Sequence, residues 1–199
     1  MRVFAASHGV LDEELDYYLA MHDMDFANPQ KGGLRYDELE NLLDAIPARN
    51  KLMLIDACYS GEVDKEESQL IASNDTQTGG VKSRGFLKKV TKKEGIGLAN
   101  SFELMKELFA DLRRNNGAVV ISSASGKEFA FESSEWANGV FTYSVLAGLK
   151  SGNADLNKDK TVSVSELRDY VSKRVQELTN GKQNPTSRSE NLENDFRVW

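Results

Sequence analysis

The sequence predicts an α/β layered fold, with a mostly parallel sheet flanked by helices. Two kinds of pattern carry that expectation. Val3-Phe4-Ala5-Ala6, Leu52-Met53-Leu54-Ile55-Asp56-Ala57 and Ala118-Val119-Val120-Ile121-Ser122 are near-continuous apolar runs, as strands covered on both faces require. Between and after them lie stripes of helical period: Leu39, Leu42, Leu43 and Ile46; Phe102, Met105, Leu108, Phe109 and Leu112; Val164, Leu167, Val171, Val175 and Leu178. Strands alternating with helices build a parallel sheet, and no internal repeat interrupts the order.

Taken along the chain, the first strand is expected at about 2–6, and Tyr17-Tyr18-Leu19-Ala20-Met21 reads as a second extended stretch. Asp37 is placed to cap the next helix, with Glu40 reaching back to it, and Pro47 lies just past the end. A strand at 51–57 follows. From Glu62 to about Asn100 periodicity disappears and polar, charged and glycine residues dominate, which predicts a flexible linker or activation loop. That stretch runs from an acidic patch (Glu62, Asp64, Glu66, Glu67) to a basic one (Lys82, Arg84, Lys88, Lys89, Lys92, Lys93). Phe141 to Leu149 reads as a short helix ending before Gly152, and Phe196-Arg197-Val198-Trp199 as a closing strand or docked end.

Composition narrows the function classes. The chain has 199 residues, 40% hydrophobic and 28% charged, enough for one domain spanning 1–199 with its own core. A net charge of -6 gives no reason to expect nucleic-acid binding. No apolar run is long enough to span a membrane, and no leader pattern follows Met1. One cysteine allows no internal disulfide, which suits a reducing, cytoplasmic setting.

That cysteine, Cys58, ends an apolar run and is followed by Tyr59-Ser60-Gly61. Of the two histidines, His8 stands at the matching place after the first strand and is followed by Gly9, whereas His22 has no glycine beside it and reads as structural. Ligands of open α/β sheets bind beyond the carboxyl ends of the strands. If the two strands are neighbours, a thiol and an imidazole meet there, the pair that nucleophilic attack on a carbonyl needs. The N–H groups of Gly9 and Cys58 are candidate donors to the oxyanion.

Ser7-His8-Gly9 and, 50 residues beyond the histidine, Asp56-Ala57-Cys58-Tyr59-Ser60-Gly61 resemble the caspase-like cysteine peptidases, most closely the metacaspases and their bacterial relatives. Gly139-Val140-Phe141-Thr142 extends the resemblance over most of the chain. It implies a caspase-like fold, a Cys58/His8 dyad and hydrolysis of peptide bonds. Two departures stand out: Ser7 replaces a common glycine, and the strand–helix–strand unit that the family places before its histidine strand is lacking. An upstream segment or a partner is expected to cover the sheet edge so exposed.

The resemblance also implies a specificity pocket. Asp56 looks like the acidic residue that metacaspases place beside it, and the segment 122–132 lies where the family completes it. Glu128 and Glu132 would add charge, since a carboxylate pairs with an arginine fork. Cleavage after Arg or Lys is therefore expected, with protein or peptide substrates. In such enzymes the segment after the cysteine strand is often self-cleaved, which makes Arg84, Lys88 and Lys89 candidate self-cleavage sites.

Asp155, Asn157, Asp159, Ser163 and Glu166 fall at ligand positions of a calcium loop, but Lys160 stands where a glycine makes the sharp turn. Ser163 and Glu166 also form a capping box for a helix from Val164, and structural turn plus cap is the favoured reading. No cofactor and no metal ligand are assigned, with calcium left open. The competing functions are a catalytically silent caspase-like interaction module of a larger signalling protein and a calcium-binding regulatory module.

Overall fold

The computed structural model of the chain describes residues 1–12, 14, 16–59, 81–83, 118–124, 130–133, 136–187 and 195–199. Strand β1 spans Arg2–Leu11, β2 Tyr17–Leu19, β3 Leu34–Arg35 and β4 Lys51–Tyr59. Helix α1, Tyr36–Ala45, lies between the last two. Then come β5 (Val81–Ser83), β6 (Ala118–Ser122), β7 (Phe131–Ser133), β8 (Asn138–Gly139), α2 (Val140–Ser151), α3 (Val164–Thr179) and β9 (Thr186–Ser187).

Six strands form the main sheet in the order β3-β2-β1-β4-β6-β9, and β5-β7-β8 form a second. The central β1, β4 and β6 are parallel; β2 and then β3 on one side and β9 on the other pair antiparallel. This is the mostly parallel, helix-flanked sheet that the apolar runs predict. β4 is buried on both faces because its residues alternate between two cores. Leu52 and Leu54 pack with Val119, Ile121, Phe141, Leu167 and Val175 under α2 and α3. Met53, Ile55 and Ala57 pack with Tyr17, Tyr36, Leu43 and Val120 under α1.

Both catalytic-candidate strands run further than expected. β1 reaches Leu11 rather than about residue 6, and β4 reaches Tyr59 rather than 57. Their ladder keeps eight consecutive register pairs, from Arg2↔Leu52 to Gly9↔Tyr59, so backbone pairing carries both strands past the end of the apolar runs. Along β1, β2 pairs only with Gly9, Val10 and Leu11. On that edge, Arg2 to Ala6 has no strand partner among the described residues, and Phe4 is 50% exposed.

Helix α1 also departs from expectation. It starts at Tyr36, with Arg35 as N-cap and no side-chain cap, and Asp37 lies inside the first turn. Tyr36 is pulled into the core, edge-on to Tyr17, which starts the helix two residues before an Asp37 cap would allow. At the other end the buried Lys51 donates to the Leu43 carbonyl at 2.6 Å. The segment expected to lack regular structure contains β5, which pairs with β7. The stripe at 102–112 and the rest of the 62–100 segment lie outside the described residues.

Helix α2 ends as expected at Gly152, whose φ of 74° suits a residue without Cβ. Helix α3 starts as expected at Val164 with the full Ser163/Glu166 capping box. The C-terminal end docks on the turn before it: Val198 is buried and its N–H donates to the Val162 carbonyl at 2.7 Å.

Candidate active site

The parallel pairing of β1 and β4 makes His8 and Cys58 register partners near the carboxyl ends of two adjacent central strands. Neighbouring strands lie about 4.8 Å apart, so the two backbone positions are side by side. His8 is half-buried. Its carbonyl accepts the Ala20 N–H at 2.8 Å, and the Ser7 hydroxyl donates to the Ala20 carbonyl. The serine that replaces a common glycine thus ties the histidine strand to the chain leaving β2. Gly9 is buried, opposite Leu19 on one side and Tyr59 on the other.

Asp56 is 0% exposed and sits at the N-terminus of α2. Its Oδ2 accepts the Thr142 N–H at 3.3 Å and the Thr142 hydroxyl. A carboxylate there satisfies an amide that has no partner inside the helix and faces the positive end of the helix dipole. Gly139, the last residue of β8, precedes the helix and lies opposite Glu132 of β7. Two acidic candidates are therefore linked through the short run Gly139–Thr142. Glu128, Arg84, Lys88 and Lys89 lie outside the described residues.

A third structural tie reaches the site from β6. Ser123 is fully buried. Its N–H donates to the Ile55 carbonyl at 2.8 Å and its hydroxyl to the Ala57 carbonyl at 3.1 Å. Its own carbonyl accepts the Nε2 of the buried Gln183 at 2.7 Å. Gln183 had no distinguishing signal in the sequence, and the motifs that contain Ser7, Thr142 and Ser123 did not show their partners, which lie 13 to 86 positions away.

A Caspase domain model matches residues 1–197, almost the whole chain. The chain belongs to the caspase-domain family. No curated protein matches it significantly. The α/β sheet observed is consistent with the caspase-like fold. No helix among the described residues is long and apolar enough to cross a membrane.

Two acidic groupings lie outside this site. Asp12, Glu14 and Asp16 bring carboxylate oxygens within 4.8 Å of one another. Asp12 accepts the Glu14 and Asp16 amides and the Gln30 side chain, while Asp16 pairs with Arg35 at 2.7 Å. Burial raises the Asp12 pKa, but those hydrogen bonds outweigh it and hold the carboxyl below its usual range. In the loop before α3, Asp155, Asn157 and Asp159 accept the loop's own amides. Lys160 adopts a φ of 70°, so the sharp turn is made without the glycine that a calcium loop uses there.

Glu166 serves that loop as well as the helix. It accepts the amides of Ser163 (2.9 Å), Asn157 (3.0 Å) and Leu156 (3.1 Å). The Ser163 amide is the largest influence holding its pKa below the ordinary value of 4.5. A depressed carboxyl pKa adds stability that is present above the unfolded value and lost as pH falls through the folded one. Glu166→Gln is therefore expected to destabilise the protein by about 1 to 2 kcal/mol at pH 7. Melting curves at both pH values should show the gap narrowing at pH 3. A gap that is constant with pH would show that the charge contributes nothing.

Proposed function

We propose that the protein is a cysteine endopeptidase that cleaves after Arg or Lys. The observation that carries this is the His8↔Cys58 register on adjacent parallel strands in a caspase-domain chain. In this reading His8 holds Cys58 as thiolate. The sulfur attacks the scissile carbonyl carbon, a C–S bond forms and the π pair moves to oxygen. Collapse expels the amine, which takes its proton from His8. Water then attacks the thioester, with His8 taking its proton, and the C–S bond breaks to release the acid product and restore the Cys58 thiolate. The N–H groups of Gly9 and Cys58 face the oxyanion.

The basic preference is supported by carboxylates on β4 and β7. Asp56 brings a buried negative charge to the strand that carries Cys58, and Glu132 follows on β7 beside the start of α2. Because Oδ2 of Asp56 is engaged by Thr142, it would act on a substrate cation more through its field than as a fork. Glu128 belongs to the same proposed pocket. Self-cleavage at Arg84, Lys88 or Lys89 completes the proposal, since a tethered basic segment meets its own active site at high effective concentration. The reaction is assigned no cofactor.

Fluorogenic peptides ending in Arg, Lys or Asp, assayed with and without calcium, test this directly. Turnover of the Arg and Lys peptides is expected, and turnover of the Asp peptide alone would overturn the preference. A folded protein that turns over none of them would favour the non-catalytic interaction module. Mass spectrometry of the same stocks should find nicks after Arg84, Lys88 or Lys89 in the native protein and none in Cys58→Ala.

A further inference from the structure

Two separate bridges span the strands that carry the proposed specificity carboxylates, β4 with Asp56 and β7 with Glu132. One runs from Glu132 across its register partner Gly139 into α2, where Thr142 binds Asp56. The other passes through one side chain from a distant part of the chain. Ser123, just past the end of β6, donates to the Ile55 and Ala57 carbonyls of β4. Its own carbonyl accepts Nε2 of Gln183 at 2.7 Å. Oε1 of the same amide accepts the Phe131 N–H at 2.8 Å, where β7 begins.

Gln183 is 0% exposed, and its own N–H donates to the Thr179 hydroxyl at the end of α3. Its side-chain amide joins a carbonyl to an N–H, so it fits one way round only. Buried polar groups are costly to leave unpaired, and breaking either bond would strand a main-chain partner in the interior. The two bridges close a ring: β4, Ser123, Gln183, β7, β8, the start of α2 and back to Asp56. The start of β7 cannot move away from β4 without breaking a hydrogen bond of that ring.

We propose that Gln183 is a positioning residue for substrate specificity: by tying the start of β7 to Ser123, it fixes how far Glu132 stands from Asp56 and the strand of Cys58. The inference rests on the basic preference proposed above. A guanidinium paired two-pronged with a carboxylate tolerates little displacement, whereas an ammonium is a point charge on a flexible stem. Loosening β7 therefore penalises a substrate Arg more than a substrate Lys and leaves the thiol itself unaffected.

The test compares Gln183→Met and Gln183→Glu with the native protein. Two fluorogenic peptides, identical but for a final Arg or Lys, give kcat and KM, and iodoacetamide alkylation of Cys58 reads the thiol alone. Gln183→Met removes both hydrogen bonds and keeps the side-chain length. It should raise KM for the Arg peptide and lower its kcat/KM by roughly 10- to 100-fold, as misplacing a clamp does, while the Lys peptide loses about threefold or less. Alkylation should keep its native rate. Gln183→Glu keeps the acceptor but regains the donor to Ser123 only when its carboxyl is protonated, a form that burial favours. Its Arg-to-Lys ratio of kcat/KM should climb towards the native value from about pH 8 to about pH 6, more steeply than in the native protein.

Lost stability alone lowers turnover of both peptides by one factor, as Val171→Ala, a cavity in the α3 core, should show. Should Gln183→Met fail to fold, Gln183→Glu carries the test. An unchanged Arg-to-Lys ratio in folded Gln183→Met, or a ratio in Gln183→Glu that is flat with pH, overturns the positioning role while the peptidase reading stands. If the native protein shows no Cys58-dependent turnover of either basic peptide, that reading itself fails and takes this inference with it.

Discussion

Cys58→Ala is expected to lower kcat/KM for an Arg fluorogenic peptide by on the order of 10⁴-fold or more, because the thiol is the only group assigned to attack the carbonyl. His8→Ala should cost nearly as much. The two residues act as a unit, so the double variant should be little worse than either single one. The basis is the register: His8 and Cys58 face each other across one parallel ladder that begins at Arg2↔Leu52. Circular dichroism and melting curves of both variants separate a loss of chemistry from a loss of fold, and both are expected to stay close to native. Retention of activity within about tenfold in folded Cys58→Ala would exclude this cysteine as nucleophile, a loss far below that of a nucleophile knockout.

The second large effect is on stability. Asp56→Ala is expected to destabilise the protein by about 2 to 4 kcal/mol, since it strands the Thr142 donors in the interior and removes an anion from a helix N-terminus. For a chain of this size that corresponds to a melting temperature lower by roughly 5 to 15 °C. Thr142→Val removes the hydroxyl from the same pair and should cost less. In the double-mutant cycle the two should couple by about 1 to 2 kcal/mol, as contacting residues do. Coupling near zero would mean that Asp56 and Thr142 contribute separately, and that the carboxylate at the start of α2 is incidental. Running the same variants against the Arg and Asp peptides then separates what Asp56 does for the fold from what it does for specificity.

This dual position of Asp56 marks the limit of what sequence reading reaches. Its place two residues before Cys58 was legible, and a role near specificity followed from the resemblance. Its hydrogen bonds were not, because Thr142 lies 86 positions away and no local pattern links them. In the same way Gly139-Val140-Phe141-Thr142 was visible as a motif, while its physical content emerges only with the fold: Gly139 pairs with Glu132, Val140 and Phe141 fill the core, and Thr142 binds Asp56. Gln183 gave no signal at all, and Ser123 only a place in the segment 122–132. A buried glutamine is recognisable by its partners, and those sit on β7 and at the end of β6.

Local rules worked where the forces are local. The capping box of α3 needs only Ser163 and Glu166, three residues apart, and the end of α2 needs only a residue free to take positive φ at Gly152. They failed where a distant contact competes. Tyr36 started α1 ahead of Asp37 because its ring is buried against Tyr17. The order of apolar runs and helical stripes by itself determined the layered α/β class and named the cysteine and histidine. The tertiary structure alone decided that those two residues are register partners, and which side of β4 holds the peptide before Cys58. Strand pairing is set by contacts between segments far apart in the chain, whose free energy is shared by the whole core and leaves little trace in any one residue.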